Sequence, residues 1–272
     1  MMRRKIGVCT WIFGNIEPVN LADMIHEMRF DGVELYIDTD CFSPQYIKQI
    51  FADRGLEIFS ITPSNVNLAS SSTNSRKNAI TYYKKLIDYG SELGEPIVIC
   101  HEYIQSQLGA VDSGSIEVLA ESCQEIALYA LQGNLKLGFE PLNRYLCSFI
   151  LTSTDAQYLL GLINAANMTI VLDAFHMNLE EDDPVQAIRR CGDKLSIYQI
   201  ADSNRKGIGL GHTNFTSHLD ALDAINYNGP LILEPAGLRQ RPGSSENLNL
   251  DEIKFHLYKS RNWLLGRTQA LV

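Results

Sequence analysis

Short apolar runs alternate with longer segments of mixed polarity along the whole chain. Each run is about five to seven residues long, which is typical of a buried strand. The segments between them carry apolar residues at helical spacing, as at Leu21, Met24, Ile25 and Met28, which would share one face of a helix. The predicted strands cover about residues 5–11, 32–37, 57–62, 96–100, 136–140, 169–173, 195–199 and 230–235.

A helix is predicted after every strand. The helices cover about residues 20–30, 44–54, 75–93, 115–131, 154–165, 184–190, 216–225 and 250–265. Ser43 and Pro44 have the chemistry of a helix start, Thr154 is the predicted cap of the fifth helix, and Thr216 or Ser217 is that of the seventh. These boundaries give the chain a regular strand–helix rhythm.

The regular alternation of strands and helices favours a parallel sheet, because each helix carries the chain back to the start of the next strand. Eight such units are what a closed (β/α)₈ barrel requires. The sequence therefore predicts a single (β/α)₈ TIM barrel domain over residues 1–272, with a doubly wound open sheet as the alternative. No linker or low-complexity tract divides the chain.

The fifth to eighth predicted strands each end in a side chain with an oxygen ligand. These side chains are Glu140, Asp173, Gln199 and Glu234. An acid at the end of an apolar strand is costly to bury unless something compensates its charge. The C-terminal strand ends of a barrel face one mouth, where active sites lie. The sequence therefore predicts an active site at the C-terminal ends of strands 5 to 8.

Three carboxylates that lie close together raise one another's pKa values, and a divalent cation removes that repulsion. Ligands that are all oxygen favour a hard or borderline ion. We therefore predict one divalent metal ion per chain, bound by the four strand-end side chains, with Mn²⁺ preferred over Mg²⁺ or Co²⁺. The competing interpretation is that one or two of these groups pair with Arg144 or Arg205.

Further polar and aromatic residues decorate the same predicted mouth. His176 and Arg205 follow the sixth and seventh strands, His101 and Glu102 end the fourth, and Trp11 ends the first. We predict that all five contact substrate. The alternatives are that His176 supports a neighbouring group, that Arg205 forms a surface ion pair, and that Trp11 belongs to the core.

Composition narrows the range of partners. The chain has 272 residues and a formal net charge of −9, which makes it a poor general binder of nucleic acid or of anionic membrane. No apolar run approaches the roughly 18 residues of a membrane span. The six cysteines are scattered and form no C-x-x-C pair. We expect a reduced, cytoplasmic protein that binds neither nucleic acid nor membrane.

Four motifs at the strand ends occur in a specific order. They are Glu-Pro-Leu-Asn-Arg at 140–144, Asp-Ala-Phe-His-Met-Asn at 173–178, Ile-Ala-Asp-Ser-Asn-Arg at 200–205 and Leu-Glu-Pro at 233–235. Together they resemble the xylose-isomerase-like barrel superfamily, and within it the ketose 3-epimerases of the D-tagatose and D-psicose type. The resemblance covers nearly the whole barrel and is strongest over residues 138–235.

The resemblance implies roles for individual residues. It implies that Glu140 and Glu234 bind the metal and act as the acid and base, that Asp173 is a metal ligand, and that His176 and Arg205 contact the sugar. The activity it implies is epimerisation of a ketose, or of a keto-sugar derivative, at carbon 3 through a metal-stabilised enediolate. It also implies a homodimer or a homotetramer.

Two positions depart from the ketose 3-epimerase pattern. Gln199 stands where those enzymes have a histidine ligand, and Leu146 stands where they have a substrate-binding glutamate. Hydroxypyruvate-isomerase-like members carry a similar Gln-Ile-Ala-Asp run. An aldose–ketose isomerase of that type and a keto-inositol dehydratase therefore remain alternatives. More remote alternatives are a non-catalytic sugar-binding barrel and an apurinic-site endonuclease, which would need a histidine-rich mouth and a basic face.

Overall fold

Eight parallel strands close into a barrel in sequence order, and β8 pairs with β1. The computed structural model describes residues 4–103, 114–236 and 248–270. The predicted (β/α)₈ TIM barrel is confirmed, and the open-sheet alternative is wrong. The strands are β1 Ile6–Cys9, β2 Gly32–Leu35, β3 Glu57–Ile61, β4 Ile97–Cys100, β5 Leu137–Phe139, β6 Met168–Asp173, β7 Leu195–Ile200 and β8 Leu231–Leu233.

Nine α-helices occur in the described part of the chain, one more than the sequence predicted. They are α1 Pro18–Glu27, α2 Pro44–Ala52, α3 Thr73–Leu93, α4 Ile116–Gln132, α5 Ser153–Ile163, α6 Ala174–Glu180, α7 Pro184–Cys191, α8 Phe215–Ala224 and α9 Leu250–Ala270. The additional helix, α6, begins directly after β6. Its seven residues are too few to show a helical period in the sequence.

Helix caps account for two of the differences at element boundaries. Ser43 caps α2 as predicted. The cap of α5 is Thr152 rather than Thr154, because Thr152 forms a capping box with Asp155. The side chain of Asn214 caps α8, so the prediction of Thr216 or Ser217 is wrong. These starts fix the loops that follow β5 and β7 at the barrel mouth.

The apolar core lies inside the barrel and between the barrel and its helices. Every residue of β1, β2, β5 and β8 is buried. β1 is shorter than predicted, because Thr10–Phe13 form a 3₁₀ helix directly after it. No helix within the described ranges is long and apolar enough to cross a membrane.

Two register shifts help to place polar side chains at the mouth. One residue of β7 is skipped in its pairing with β6, after which Asp173 lies opposite Gln199. A similar shift between β2 and β3 places Glu34 opposite Ser60. Register partners in neighbouring parallel strands point to the same face of the sheet. Each shift therefore brings two polar side chains side by side inside the barrel.

Candidate active site

The four predicted strand-end ligands are all buried at the mouth of the barrel. Glu140 and Glu234 immediately follow β5 and β8, and their backbone N–H groups still donate to the neighbouring strands, at 2.9 Å in each case. Asp173 and Gln199 lie opposite each other in β6 and β7. The exposed fractions of the four residues lie between 1% and 6%. The sheet itself therefore fixes these side chains.

The carboxylates crowd one another electrostatically. Burial, and then the charges of Glu234 and Asp173, raise the pKa of Glu140 well above its usual range. Burial and the Asp173 charge raise the pKa of Glu234 to about 8. Burial also raises the pKa of Asp173. The site thus places several carboxylates close together where water cannot stabilise their charge. A bound cation would relieve their mutual repulsion.

Two buried oxygen atoms in the described part of the site have no hydrogen-bond partner. They are Oδ2 of Asp173 and Oε1 of Gln199. The other polar atom of each side chain is engaged: Oδ1 of Asp173 accepts from the N–H of Phe175 at 2.8 Å, and Nε2 of Gln199 donates to Glu34 at 2.9 Å. An unpartnered buried acceptor is costly. These two oxygens therefore fit a metal ion as their missing partner.

A second combination of possible ligands lies at the same place. Glu140, Asp173 and His176 offer ligand atoms that all lie within 4.8 Å of one another, so this buried group could also hold a metal ion. Nε2 of His176 is 3.6 Å from Oδ2 of Asp173 and 3.9 Å from Oε1 of Glu140. The position of the ring proton decides the role of His176. A bare Nε2 could ligate a metal ion, whereas a protonated Nε2 can only donate a hydrogen bond.

The neighbours of His176 answer that question. Nδ1 of His176 faces the backbone N–H of Asn143 at 3.3 Å and the side-chain nitrogen of Asn143 at 2.8 Å. A backbone N–H can only donate, so Nδ1 is the acceptor nitrogen. Burial lowers the pKa of His176 well below its usual range, so the ring is neutral. Its proton is then on Nε2, which makes His176 a hydrogen-bond donor to the site.

Arg205 approaches Glu234 from above the ring of Trp11. Its Nη2 is 3.7 Å from Oε1 of Glu234, and the same oxygen accepts a hydrogen bond from Nε1 of Trp11. The guanidinium lies 5.4 Å from the Trp11 ring centre and 5.0 Å from that of Phe175. The two rings hold the cation by cation–π attraction. The structure therefore brings Trp11, Arg205 and Glu234 together at the mouth, and their functional roles stay predictions.

The side chain of Asp202 holds the loop after β7 in place. The fully buried carboxylate of Asp202 accepts backbone N–H groups of Ser203, Gly209 and Thr213 at 2.8–3.0 Å. Within this loop Arg205 adopts a left-handed conformation with φ of 58°. Such a conformation is unfavourable for a side chain of this kind and persists only where surrounding contacts enforce it. Asp202 supplies several of those contacts.

His101 and Glu102 lie at the end of β4 in different environments. His101 is buried, its Nδ1 has no partner among the described residues, and burial lowers its pKa to about 4. The carboxylate of Glu102 accepts backbone N–H groups of Ser148, Phe149 and Ile150 at 2.8–3.3 Å. Glu102 therefore anchors the loop after β5, and its contact with substrate stays a prediction.

Sequence reasoning missed one member of the cluster, Glu34. This residue lies within β2, is fully buried, and accepts hydrogen bonds from Ser60, Thr62 and Gln199. The available signal was an acid inside a short apolar strand, which is as unusual as an acid at its end. The prediction considered only polar residues at strand ends, and Glu34 lies three residues before the predicted end of its strand.

The barrel is closed and carries buried carboxylates at the ends of β5, β6 and β8. This arrangement is typical of TIM-barrel proteins whose active site lies at the C-terminal mouth. Residues 22–255 match the xylose isomerase-like TIM barrel family, and the chain belongs to that family. The predicted superfamily is thus confirmed.

Named relatives include epimerases of two kinds. The chain is 32% identical over 111 residues to an L-ribulose 3-epimerase of Methylomonas sp. (strain DH-1), which covers 41% of this chain and 39% of that protein. It is 26% identical over 239 residues to the 3-dehydro-D-guloside 4-epimerase of Escherichia coli (strain K12), covering 85% of this chain and 91% of that protein. The match to the first relative thus spans about two fifths of its length.

Solved structures agree over a greater length. The D-psicose 3-epimerase from Clostridium cellulolyticum H10, determined with D-tagatose, superposes with a TM-score of 0.82 at 25% sequence identity. The superposition covers 96% of this chain and 99% of that one. The barrel and the order of its elements are therefore shared along almost the entire chain.

Proposed function

We propose that this protein is a divalent-metal-dependent sugar epimerase that inverts carbon 3 of a ketose or of a keto-sugar derivative. The observation that carries the proposal is the pair of unpartnered buried oxygens, on Asp173 and Gln199, in a cluster with Glu140 and Glu234. Membership of the xylose isomerase-like family and the names of the relatives support the same reaction class.

The metal would be held by Glu140, Asp173, Gln199 and Glu234, and Mn²⁺ is the ion we expect. His176 is a poorer candidate ligand, because its Nε2 carries a proton while Nδ1 accepts from Asn143. When bound, a divalent cation polarises the substrate carbonyl as a Lewis acid and so makes the neighbouring C–H more acidic.

The two glutamates would carry the proton transfers. They enter the mouth from β5 and β8, which are separated by two strands of the barrel. One carboxylate removes the proton from the carbon next to the carbonyl, which flattens that carbon into an enediolate. The other returns a proton to the opposite face, and the configuration is inverted. A single carboxylate working on one face would return the original sugar or move the carbonyl.

The neighbouring side chains would bind and orient the sugar. The Nε2–H of His176 donates to a substrate oxygen, and the guanidinium of Arg205, held between the Trp11 and Phe175 rings, donates to another. Trp11 keeps Glu234 in place through its indole N–H. We further expect His101 to contact substrate, since its Nδ1 is buried and without a partner in the described part of the chain.

Inversion at carbon 4 of a keto-glycoside is the second candidate function. Two observations favour it. The 3-dehydro-D-guloside 4-epimerase matches over 85% of this chain, and Leu146 occupies the position at which the resemblance predicts the substrate-binding glutamate of ketose 3-epimerases. The same two glutamates would then act on a different carbon of a sugar bound in another orientation.

Deuterium incorporation distinguishes these possibilities in one experiment. The Mn²⁺-loaded protein is incubated in D₂O with D-psicose, D-tagatose, L-ribulose, 3-keto-glucosides, hydroxypyruvate and inososes, and the products are analysed by NMR. A ketose 3-epimerase places deuterium at carbon 3 and a 4-epimerase at carbon 4. An aldose–ketose isomerase instead labels carbon 1 or 2 of a sugar, or carbon 2 or 3 of hydroxypyruvate. A dehydratase eliminates water from its substrate.

The controls separate catalysis from contamination. Glu234→Gln and Glu140→Gln, purified in the same way, should show little exchange. A protein that binds these sugars without exchanging any hydrogen would contradict the proposal and identify a non-catalytic sugar-binding barrel.

A further inference from the structure

A buried hydrogen bond crosses the inside of the barrel from β2 to β7. Nε2 of Gln199 donates to Oε1 of Glu34 at 2.9 Å, and both residues are at most 1% exposed. Two strands, β8 and β1, separate β7 from β2 in the sheet. The two side chains therefore meet across the lumen of the barrel, and their contact does not follow from strand pairing.

Glu34 is itself held firmly on its own side. Ser60 donates to its Oε2 at 2.9 Å and Thr62 to its Oε1 at 3.0 Å. The register shift between β2 and β3 places Ser60 directly opposite Glu34, so the two side chains share the inner face. A carboxylate with donors on both oxygens has little freedom to rotate. It offers Gln199 a fixed acceptor.

A side-chain amide has two ends of opposite character. A carboxylate accepts hydrogen bonds, so it attracts the NH₂ end of Gln199 and repels the carbonyl end. Once the NH₂ end faces Glu34, the carbonyl oxygen has to point the other way. That oxygen is the buried Oε1 without a partner, and its strand neighbour is Asp173.

We propose that Glu34 is a positioning residue that makes Gln199 a metal ligand by fixing the orientation of its amide. Without Glu34, the amide could present either end to the metal, and the NH₂ end cannot ligate. Partners of this kind around metal sites orient the ligands and typically contribute 10- to 100-fold to metal affinity. The inference rests on the proposed metal site.

The same arrangement explains how a glutamine can serve where the resemblance predicts histidine. A histidine at position 199 would also need one ring nitrogen to donate and the other to ligate. Glu34 would accept from the donating nitrogen, as carboxylates commonly do for metal-bound histidines. The carboxylate therefore suits either ligand, and Gln199→His should keep its dependence on Glu34.

A double-mutant cycle on Mn²⁺ affinity tests the inference. Mn²⁺ dissociation constants are measured by calorimetry or by electron paramagnetic resonance for wild type, Glu34→Gln, Gln199→Leu and the double variant. Glu34→Gln should raise the dissociation constant about ten-fold or more. In the Gln199→Leu background the same change should have an effect at least about five-fold smaller, because the ligand it orients is gone.

Two controls keep the cycle interpretable. Glu121→Gln removes one negative charge from the exposed surface of α4 and should leave Mn²⁺ affinity unchanged within about two-fold. Circular dichroism of the metal-free variants checks folding. If Glu34→Gln does not fold, Glu34→Met, which has similar length and no charge, takes its place in the cycle.

The possible outcomes are distinct. The inference is overturned if the change in dissociation constant of the double variant equals the product of the two single changes within about two-fold. Glu34 would then act on the metal directly or through its charge alone. A wild-type protein that binds no Mn²⁺ overturns the metal site together with this inference. Coupled effects in a protein without epimerase activity support the role of Glu34 and contradict only the proposed reaction.

Discussion

The contribution of His218, on α8, to the stability of the protein should fall between pH 7 and pH 5. This side chain is 5% exposed and lies between the ring of Phe215 and the hydroxyl of Tyr198, whose oxygen is 2.7 Å from Nδ1. Burial lowers the pKa of His218 from 6.5 to about 4. The folded protein thus holds the ring neutral at a pH at which the unfolded chain protonates it.

The sign and the size of the effect follow from that difference. Between pH 6.5 and pH 4 the unfolded state binds a proton that the folded state does not, so stability is lost as the pH falls through this window. With an unfolded pKa near 6.5, the loss at pH 5 is about 2 kcal/mol, and it approaches about 3 kcal/mol near pH 4. Above pH 7 the contribution of His218 vanishes.

Urea unfolding at pH 7 and pH 5 measures this loss, and a chelator at both values removes any contribution from metal binding. His218→Gln fills a similar volume, can still accept from Tyr198, and does not titrate. Wild type should lose about 2 kcal/mol more than His218→Gln between the two pH values. Parallel losses in the two proteins, within about 0.5 kcal/mol, would refute the reasoning about burial.

Further predictions concern the candidate site. Glu234→Gln and Glu140→Gln should each lower turnover by about 10²-fold or more, with Mn²⁺ binding by Glu234→Gln retained in a titration; near-normal turnover in both would mean that the site is structural. Exhaustive chelation should abolish activity, and Mn²⁺ should restore it at about one ion per chain. Gln199→Leu should bind Mn²⁺ more weakly than wild type and Gln199→His at least as tightly; equal affinity in all three would show that Gln199 is not a ligand. Asp202→Asn should reduce the free energy of unfolding by about 1–3 kcal/mol and raise KM by loosening the loop that carries Arg205, and an unchanged KM would separate that loop from substrate binding.

The fold could be predicted because strand and helix periods are local properties of the chain. Eight apolar runs, each followed by an amphipathic segment, leave a parallel barrel as the main solution. The short helix α6 could not be found in this way. It depends on the carboxylate of Asp173 accepting the N–H of Phe175, and its seven residues carry no clear period.

The four strand-end members of the candidate site were accessible from the sequence because each is a polar residue that interrupts an apolar strand at its end. That signal identified Glu140, Asp173, Gln199 and Glu234. The bridge from Glu34 to Gln199 joins residues 165 positions apart, and no local pattern encodes it. The orientation of His176 was equally inaccessible, because it depends on Asn143, which lies on a different loop.

Asp173 uses its two oxygens for different purposes, and this limits how the site can be redesigned. Oδ1 caps α6, the helix that carries His176, while Oδ2 is buried without a hydrogen-bond partner and lies 3.6 Å from Nε2 of His176. A substitution made to alter metal preference at this position would also shift His176, and with it the sugar contact proposed for that side chain. Gln199 lies within β7 and caps no helix, and its side chain is held by the hydrogen bond to Glu34. Directed evolution of metal choice should therefore accumulate changes at position 199 and leave position 173 untouched.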